Sequence, residues 1–518
     1  MIHELTIDGT TLTLDQVIAV AHHPEITVRL AANAIPAIQA SAQAVDRLLA
    51  KGEVAYGINT GFGAFKDRLI PLNEVEKLQE NILLSHAVGV GEPLPASTVR
   101  AMMLIRANTL ARGYSGVRLE TLQLLLALLN RNILPLIPEK GSLGASGDLA
   151  PLAHMALPLI GKGEVRYQGE QMPAAEALRR AGLTPISLSA KEGLALTNGT
   201  TLMTAMGVEA WAQAQVLMTT ANLAAALTLE AQNGTLRAFD AAIHNLRPQP
   251  GQTETAAQLR TILSGSQLTR PDDTKNIQDA YTLRCIPQVH GAVQHAIDYA
   301  KSVMSTELNS VTDNPLIFED DSGEPMVISG GNFHGEPLAL ALDFLGIALT
   351  DLGNMSERRI AKLVDRSEAE LPYPPFLTER GGLNSGFMLL QYTAAALTSE
   401  NKTYSHPAST DNIPSSGNVE DHVSMGPNAA RHVRDILENL SVILAIELMS
   451  AAQAVDFRLK KQPGLQLGEI SAQAYQLVRQ QIPFLPEDAL LYPYLNRLIA
   501  MVRAGEFAAL VPPLQDPN

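Results

Sequence analysis

The tripeptide Ala145-Ser146-Gly147 carries the materials for an electrophile built from the chain itself. Attack of the Gly147 backbone nitrogen on the Ala145 carbonyl closes a five-membered ring. Loss of two waters, one from the ring carbon and one taking the Ser146 hydroxyl, leaves a conjugated methylidene-imidazolone. Ala145 keeps the attacked carbonyl accessible, Ser146 supplies the leaving hydroxyl, and Gly147 permits a tight backbone approach that a Cβ would block. Alone the tripeptide is common, occurring by average usage in on the order of one long chain in ten. A serine-hydrolase elbow is excluded, because Asp148 stands where that motif needs its second glycine.

The neighbouring residues raise the signal. Residues 144–152, Gly-Ala-Ser-Gly-Asp-Leu-Ala-Pro-Leu, resemble the signature of the aromatic amino-acid ammonia-lyase family. Further blocks follow in family order: Tyr56-Gly57-Ile58-Asn59-Thr60-Gly61-Phe62-Gly63, Leu84-Ser85-His86-Ala87, residues 191–200, residues 281–288, Asp313-Asn314-Pro315, residues 329–334 and Glu420-Asp421-His422-Val423-Ser424-Met425. The resemblance runs from about residue 5 to about residue 510.

Removing ammonia from an α-amino acid is hard, because the β-hydrogen is weakly acidic and the amine leaves poorly. The resemblance implies that the methylidene-imidazolone captures the substrate's amino group while a base takes the β-proton. Tyr56 is by resemblance that base, a role needing a positive local field, since a phenol titrates near pH 10. Arg284 lies between apolar residues in Tyr-Thr-Leu-Arg-Cys and carries the planar fork that suits a carboxylate. By resemblance it binds the substrate carboxylate. Tyr281, Gln278 and Asn198 match positions that hold substrate or polarise the electrophile, Phe333 one beside the electrophile, and His86 one facing the substrate side chain.

Glu420 bears most on substrate choice. A carboxylate accepts a hydrogen bond from an imidazole N–H, where phenylalanine and tyrosine enzymes of the family tend to have an amide. The expected reaction is therefore deamination of L-histidine to urocanate and ammonia. The alternative is a tyrosine or phenylalanine ammonia-lyase, or a 2,3-aminomutase. Val419 departs from the pattern, standing where Gln is common, and Ala280 replaces a frequent Pro.

Composition narrows the partners. The chain has 518 residues, 46% hydrophobic, and a net charge of -15 without a basic run, so nucleic acid is not an expected partner. Its single cysteine, Cys285, forms no internal disulfide. No signal-peptide pattern opens the sequence, and no apolar run of about 18 residues escapes polar interruption. A soluble cytoplasmic enzyme without a membrane partner is expected. His-Glu-x-x-His is absent, and His334 and Glu336 stand two apart, a poor spacing for a helical metal pair. No obligatory metal is expected. Thr60-Gly61-Phe62-Gly63 lacks the rest of a nucleotide fingerprint, so no nucleotide is expected either.

Several elements must position these groups. Apolar residues at three-and-four spacing predict helices near 98–130, 204–232, 288–309, 337–366, 386–403, 427–456 and 469–482. Strand patterns are short and few, so the fold class is mainly α. Residues 338–352 and 429–454 are apolar over more than one helical face, which predicts burial in a bundle and at a subunit interface. Texture divides the chain into a Gly/Pro-punctuated, loop-rich helical domain at 1–198, carrying the prosthetic group, and a C-terminal part at 199–518. The resemblance implies that the latter is a long-helix bundle like that of fumarase-type lyases. It also implies a homotetramer whose active sites share residues from more than one subunit.

Overall fold

The Ala- and Leu-rich stretches form helices where their periodicity places them. Segments expected near 204–232, 288–309, 337–366, 386–403, 427–456 and 469–482 are the helices Thr201–Ala231, Ile286–Glu307, Glu336–Leu363, Met388–Tyr404, Gly426–Lys461 and Glu469–Gln481. The computed structural model describes residues 3–271, 277–365 and 372–513, so the expected end at 366 lies outside the described residues. The stretch 98–130 is two helices, Ala96–Ala111 and Leu119–Asn130, rather than one. Between them Gly113 has a φ of +74°, and a Cβ there would lie 2.6 Å from the Ala37 carbonyl carbon. The chain turns at a place no side chain can occupy.

Strands among the described residues are at most four residues long, and the fold is mainly α. Glu4–Ile7 pairs in parallel with Thr27–Leu30, and Leu316–Glu319 forms a hairpin with Pro325–Ile328. Glu164–Tyr167 lies between Leu134–Pro135 and Glu170–Pro173, antiparallel to both.

Packing divides the chain into two compact units, each discontinuous in sequence. The first comprises Met1–Glu209, Ala300–Leu342 and Pro407–Arg431; the second comprises Ala210–Tyr299, Asp343–His406 and His432–Asn518. This is a partition by contacts, whereas the division at 198/199 separates loop-rich from helix-rich chain. We propose that the boundary at 198/199 is also the division into domains.

In the first unit, Ala96–Ala111 is buried on nearly every face. Charge is admitted there only with partners. Lys191 and Asp313, both fully buried, pair at 2.8 Å, and the Ser115 hydroxyl donates to the second Asp313 oxygen at 2.8 Å. Breaking such a pair would strand a buried charge, at a cost of about 3–5 kcal/mol. Glu192 is likewise buried and accepts from the Arg118 guanidinium and the Thr121 hydroxyl, which pins the start of the short helix Glu192–Thr197.

The second unit buries a polar network among its helices. Arg359 donates to both oxygens of Glu447, at 2.5 and 2.9 Å, with neither side chain exposed. Thr228 and Ser356 donate to the same carboxylate at 2.8 and 2.6 Å. His290 lies beside Asn222 at 2.6 Å, and burial holds its imidazole well below its ordinary range, so it sits there neutral.

Glu336–Leu363 and Gly426–Lys461 are apolar and long enough to cross a membrane by composition, yet their most apolar windows are 67% and 89% buried inside the protein. That is the behaviour of core helices.

Candidate active site

The site is built in the first unit around the loop at residues 141–148. Gly147 adopts φ +71°, and a Cβ on it would stand 2.1 Å from the Gly199 carbonyl oxygen. Glycine is thus required twice, for the left-handed backbone and for the close approach. The Asp148 N–H donates to that same Gly199 oxygen at 2.7 Å. Asn198 Nδ2 donates to the Ser146 carbonyl at 2.8 Å, while Asn198 Oδ1 is buried with no hydrogen-bond partner. The tripeptide is therefore clamped at the Ser146 carbonyl and just beyond Gly147.

The clamp is itself held in place. Gln79, on the helix Val75–His86, accepts from the N–H groups of Gly193 and Leu194 at 2.9 and 3.3 Å. This fixes the helix Glu192–Thr197 that delivers Asn198. Arg106 is fully buried and donates to the carbonyls of Ala195 and Asn198. Burial pushes its guanidinium down to about 10, against the pull of Asp313 and Asp148. Asp148 Oδ2 accepts from the N–H groups of Leu202 and Met203 at 2.7 and 3.1 Å, at the start of Thr201–Ala231. Burial nevertheless raises its carboxyl to about 7.

Above the tripeptide lies an open cavity of about 1010 Å³. Its lining includes Tyr56, His86, Ala145, Ser146, Asn198, Phe333 and Glu420. The Ser146 hydroxyl donates to Glu420 Oε1 at 3.1 Å, and the Ser415 hydroxyl donates to Oε2 at 2.9 Å. Phe333 follows a loop tied down by Asn314, whose Oδ1 accepts from the Gly330 N–H at 2.6 Å. His86 ends the helix Val75–His86, with the Ser85 hydroxyl 2.9 Å from Nδ1. Burial lowers its imidazole, against a backbone contact at Ile82 and the Glu420 charge.

The Tyr56 hydroxyl accepts from the Gly63 N–H at 3.3 Å. Burial is the largest influence and raises the phenol, Gly63 opposes it, and Glu420 raises it further. The Glu420 carboxylate thus acts on the phenol against ionisation.

The aromatic amino acid lyase family profile matches residues 12–480. The chain belongs to that family. This aromatic amino acid lyase is 59% identical to the histidine ammonia-lyase of Chloroflexus aurantiacus, over 98% of each chain. Among solved structures it is similar to the histidine ammonia-lyase of Trypanosoma cruzi, with 39% identity, a TM-score of 0.89 and 99% of each chain covered. It is also similar to the tyrosine aminomutase of Streptomyces globisporus, with 37% identity, a TM-score of 0.92 and 99% coverage of each.

Three residues singled out from sequence are not in the cavity lining of this lyase. Gln278, Tyr281 and Arg284 belong to the second unit, with Gln278 exposed and Tyr281 70% exposed. The Arg284 guanidinium stacks 4.6 Å from the centre of the Tyr281 ring, and its Nε has no hydrogen-bond partner. Val419 lines the cavity and is half exposed.

Other groups at the site escaped sequence reasoning. Ser415 reaches Glu420 through a turn that closes back on itself, with the Ser415 N–H donating to the Glu420 carbonyl at 2.9 Å. Arg106 left a readable signal, a cation amid the apolar run 101–105, since an arginine buried there needs partners. The structure also brings His422 beside His334 and Glu336, which spacing on one helix does not reveal.

Proposed function

We propose that this chain converts L-histidine to urocanate and ammonia, using a methylidene-imidazolone formed autocatalytically from Ala145, Ser146 and Gly147. Once formed, that group supplies the electrophile that turns the substrate's amine into a leaving group. The residues fit it: Gly147 has the backbone freedom, Asn198 Nδ2 sits on the Ser146 carbonyl, and Asn198 Oδ1 is a buried acceptor left unpaired.

The observation that carries the histidine reading is Glu420, a carboxylate in the cavity 3.1 Å from the Ser146 hydroxyl. In this reading it accepts the imidazole N–H and fixes the side chain so that the β-carbon faces Tyr56. Tyr56 takes the β-proton onto its phenolic oxygen, and His86 and Phe333 wall the side chain. The curated relative at 59% identity bears the name of this activity.

Phenolate at Tyr56 needs a cation, and the substrate carboxylate needs a partner. We assign both roles to Arg284, with Tyr281 and Gln278, contributed by neighbouring copies in a homotetramer. The exposure of Gln278 and Tyr281 and the unpartnered Arg284 Nε support this. So does an exposed apolar face in the second unit, formed by Tyr299, Phe344 and Ile347. The substrate is a free amino acid, with no nucleic-acid, nucleotide or membrane partner. The lone Cys285 accords with a cytoplasmic location.

The similarity to a tyrosine aminomutase keeps a second reading, in which the same cavity moves ammonia from the α- to the β-carbon. Ammonia and urocanate released in equal amounts from L-histidine identify the lyase. A β-amino acid formed without free ammonia identifies the mutase and overturns the first reading.

A further inference from the structure

His334, Glu336 and His422 form a cluster that the reaction above does not use. His334 ends a loop, Glu336 opens the helix Glu336–Leu363, and His422 lies two residues beyond Glu420. The two imidazole rings stack with centroids 5.4 Å apart and planes 11° from parallel. His422 Nε2 stands 3.9 Å from Glu336 Oε2. That oxygen is shielded from solvent and has no hydrogen-bond partner. An unsatisfied carboxylate oxygen is costly to retain, and what it lacks is a donor or a cation.

We propose that these three side chains form a divalent transition-metal site. One ligand atom from each lies within 4.8 Å of the other two. In a tetrahedral zinc shell, donors at about 2.0–2.1 Å from the ion stand roughly 3.4 Å from one another. Binding requires rotation of His422, which is 63% exposed, and release of one His334 contact, Nδ1 with the Glu336 N–H at 3.3 Å or Nε2 with the His422 carbonyl at 3.4 Å. Two imidazoles and one carboxylate select a borderline cation such as Zn²⁺ or Co²⁺ over Mg²⁺ or Ca²⁺, which prefer all-oxygen shells. Three protein ligands leave a fourth position for water. A neighbouring hollow of about 440 Å³, lined by Glu307, Asn332, His334 and Glu336, gives the ion a way in.

Spacing along the chain hides such a site, because its ligands come from a loop, a helix start and a distant turn. Its position has a consequence. His334 and His422 also line the catalytic cavity, so a bound ion ties the turn that carries Glu420 to the segment that carries Phe333. The ion acts there as a brace beside the reaction, independent of which amino acid is the substrate.

The test is Co²⁺ titration of the purified full chain, read by visible d–d absorption, with equilibrium dialysis against Zn²⁺ for stoichiometry. One equivalent per chain is expected, with tetrahedral bands that H422A and E336Q each remove while weakening affinity tenfold or more. H23A, on an exposed histidine outside the cluster, leaves them unchanged. Glu336→Gln keeps shape and volume, and circular dichroism confirms its fold. Absence of stoichiometric binding in the unmodified protein, or full binding retained by the His334→Ala, His422→Ala double variant, overturns the proposal.

Discussion

The Ser146 hydroxyl donates to Glu420 Oε1 at 3.1 Å. In the proposed maturation, the dehydration that follows ring closure removes that hydroxyl, so the chemistry that makes the electrophile would also release a carboxylate lone pair toward the cavity. Oε2 stays held by Ser415 at 2.9 Å. In the proposed function, Glu420 is thereby aimed at the incoming side chain.

Glu420→Gln replaces a charged acceptor with a neutral one that can also present the wrong end. A hydrogen bond to a charged group is worth about 1.5–3 kcal/mol, so kcat/KM for L-histidine should fall by one to two orders of magnitude. Intact mass measured alongside gives the rate per matured site. An unchanged kcat/KM removes Glu420 from substrate recognition.

Tyr56→Phe removes the proposed base and keeps the ring. Loss of a positioned base costs roughly 10²–10⁴ in kcat. The two-water mass loss should persist, because Tyr56 Oη bonds the Gly63 N–H rather than the tripeptide. Near-normal turnover in this variant assigns proton removal to another group.

Gly147→Ala places a methyl 2.1 Å from the Gly199 oxygen at a φ of +71°. Backbone strain of this kind costs on the order of 1–3 kcal/mol before any clash is counted. Thermal unfolding should occur at lower temperature, and intact mass should lack the two-water loss. A variant that matures fully refutes the role given to this backbone.

Asp148 predicts a pH dependence of stability. Burial raises its folded carboxyl to about 7, above its ordinary value of 3.8. Between these values the folded chain holds a proton that the unfolded chain has released, so this residue's contribution falls as pH rises. The slope is at most about 1.4 kcal/mol per pH unit, ending near the folded value. Asp148→Asn abolishes the titration. The stability of wild type relative to this variant should therefore decline from about pH 4 to about pH 7, measured by denaturant unfolding at fixed protein concentration. A difference that is flat or rises with pH contradicts the assignment.

Legibility in the sequence followed sequence distance. Residues 145–147 carry their candidate chemistry locally, and Tyr56, Asn198, Phe333 and Glu420 sit in motifs, so these members of the cavity lining were readable before their contacts were known. Helix positions were readable from periodicity, except where Gly113 breaks the run 98–130 in two. The supporting contacts were not. Gln79 meets Gly193, and Arg106 meets Asn198, only through closure of chain about 90 residues or more apart. Local pattern carries no record of such pairings. The field on Tyr56 is unreadable for the same reason, since it depends on which charges folding and assembly bring near.

The most direct measurement is the product spectrum, with mass confirmation, after separate incubation of the purified protein with L-histidine, L-tyrosine and L-phenylalanine. Urocanate from L-histidine alone is the expected result. A cinnamate-type product from tyrosine or phenylalanine with none from histidine would contradict it, and with it the part given to Glu420.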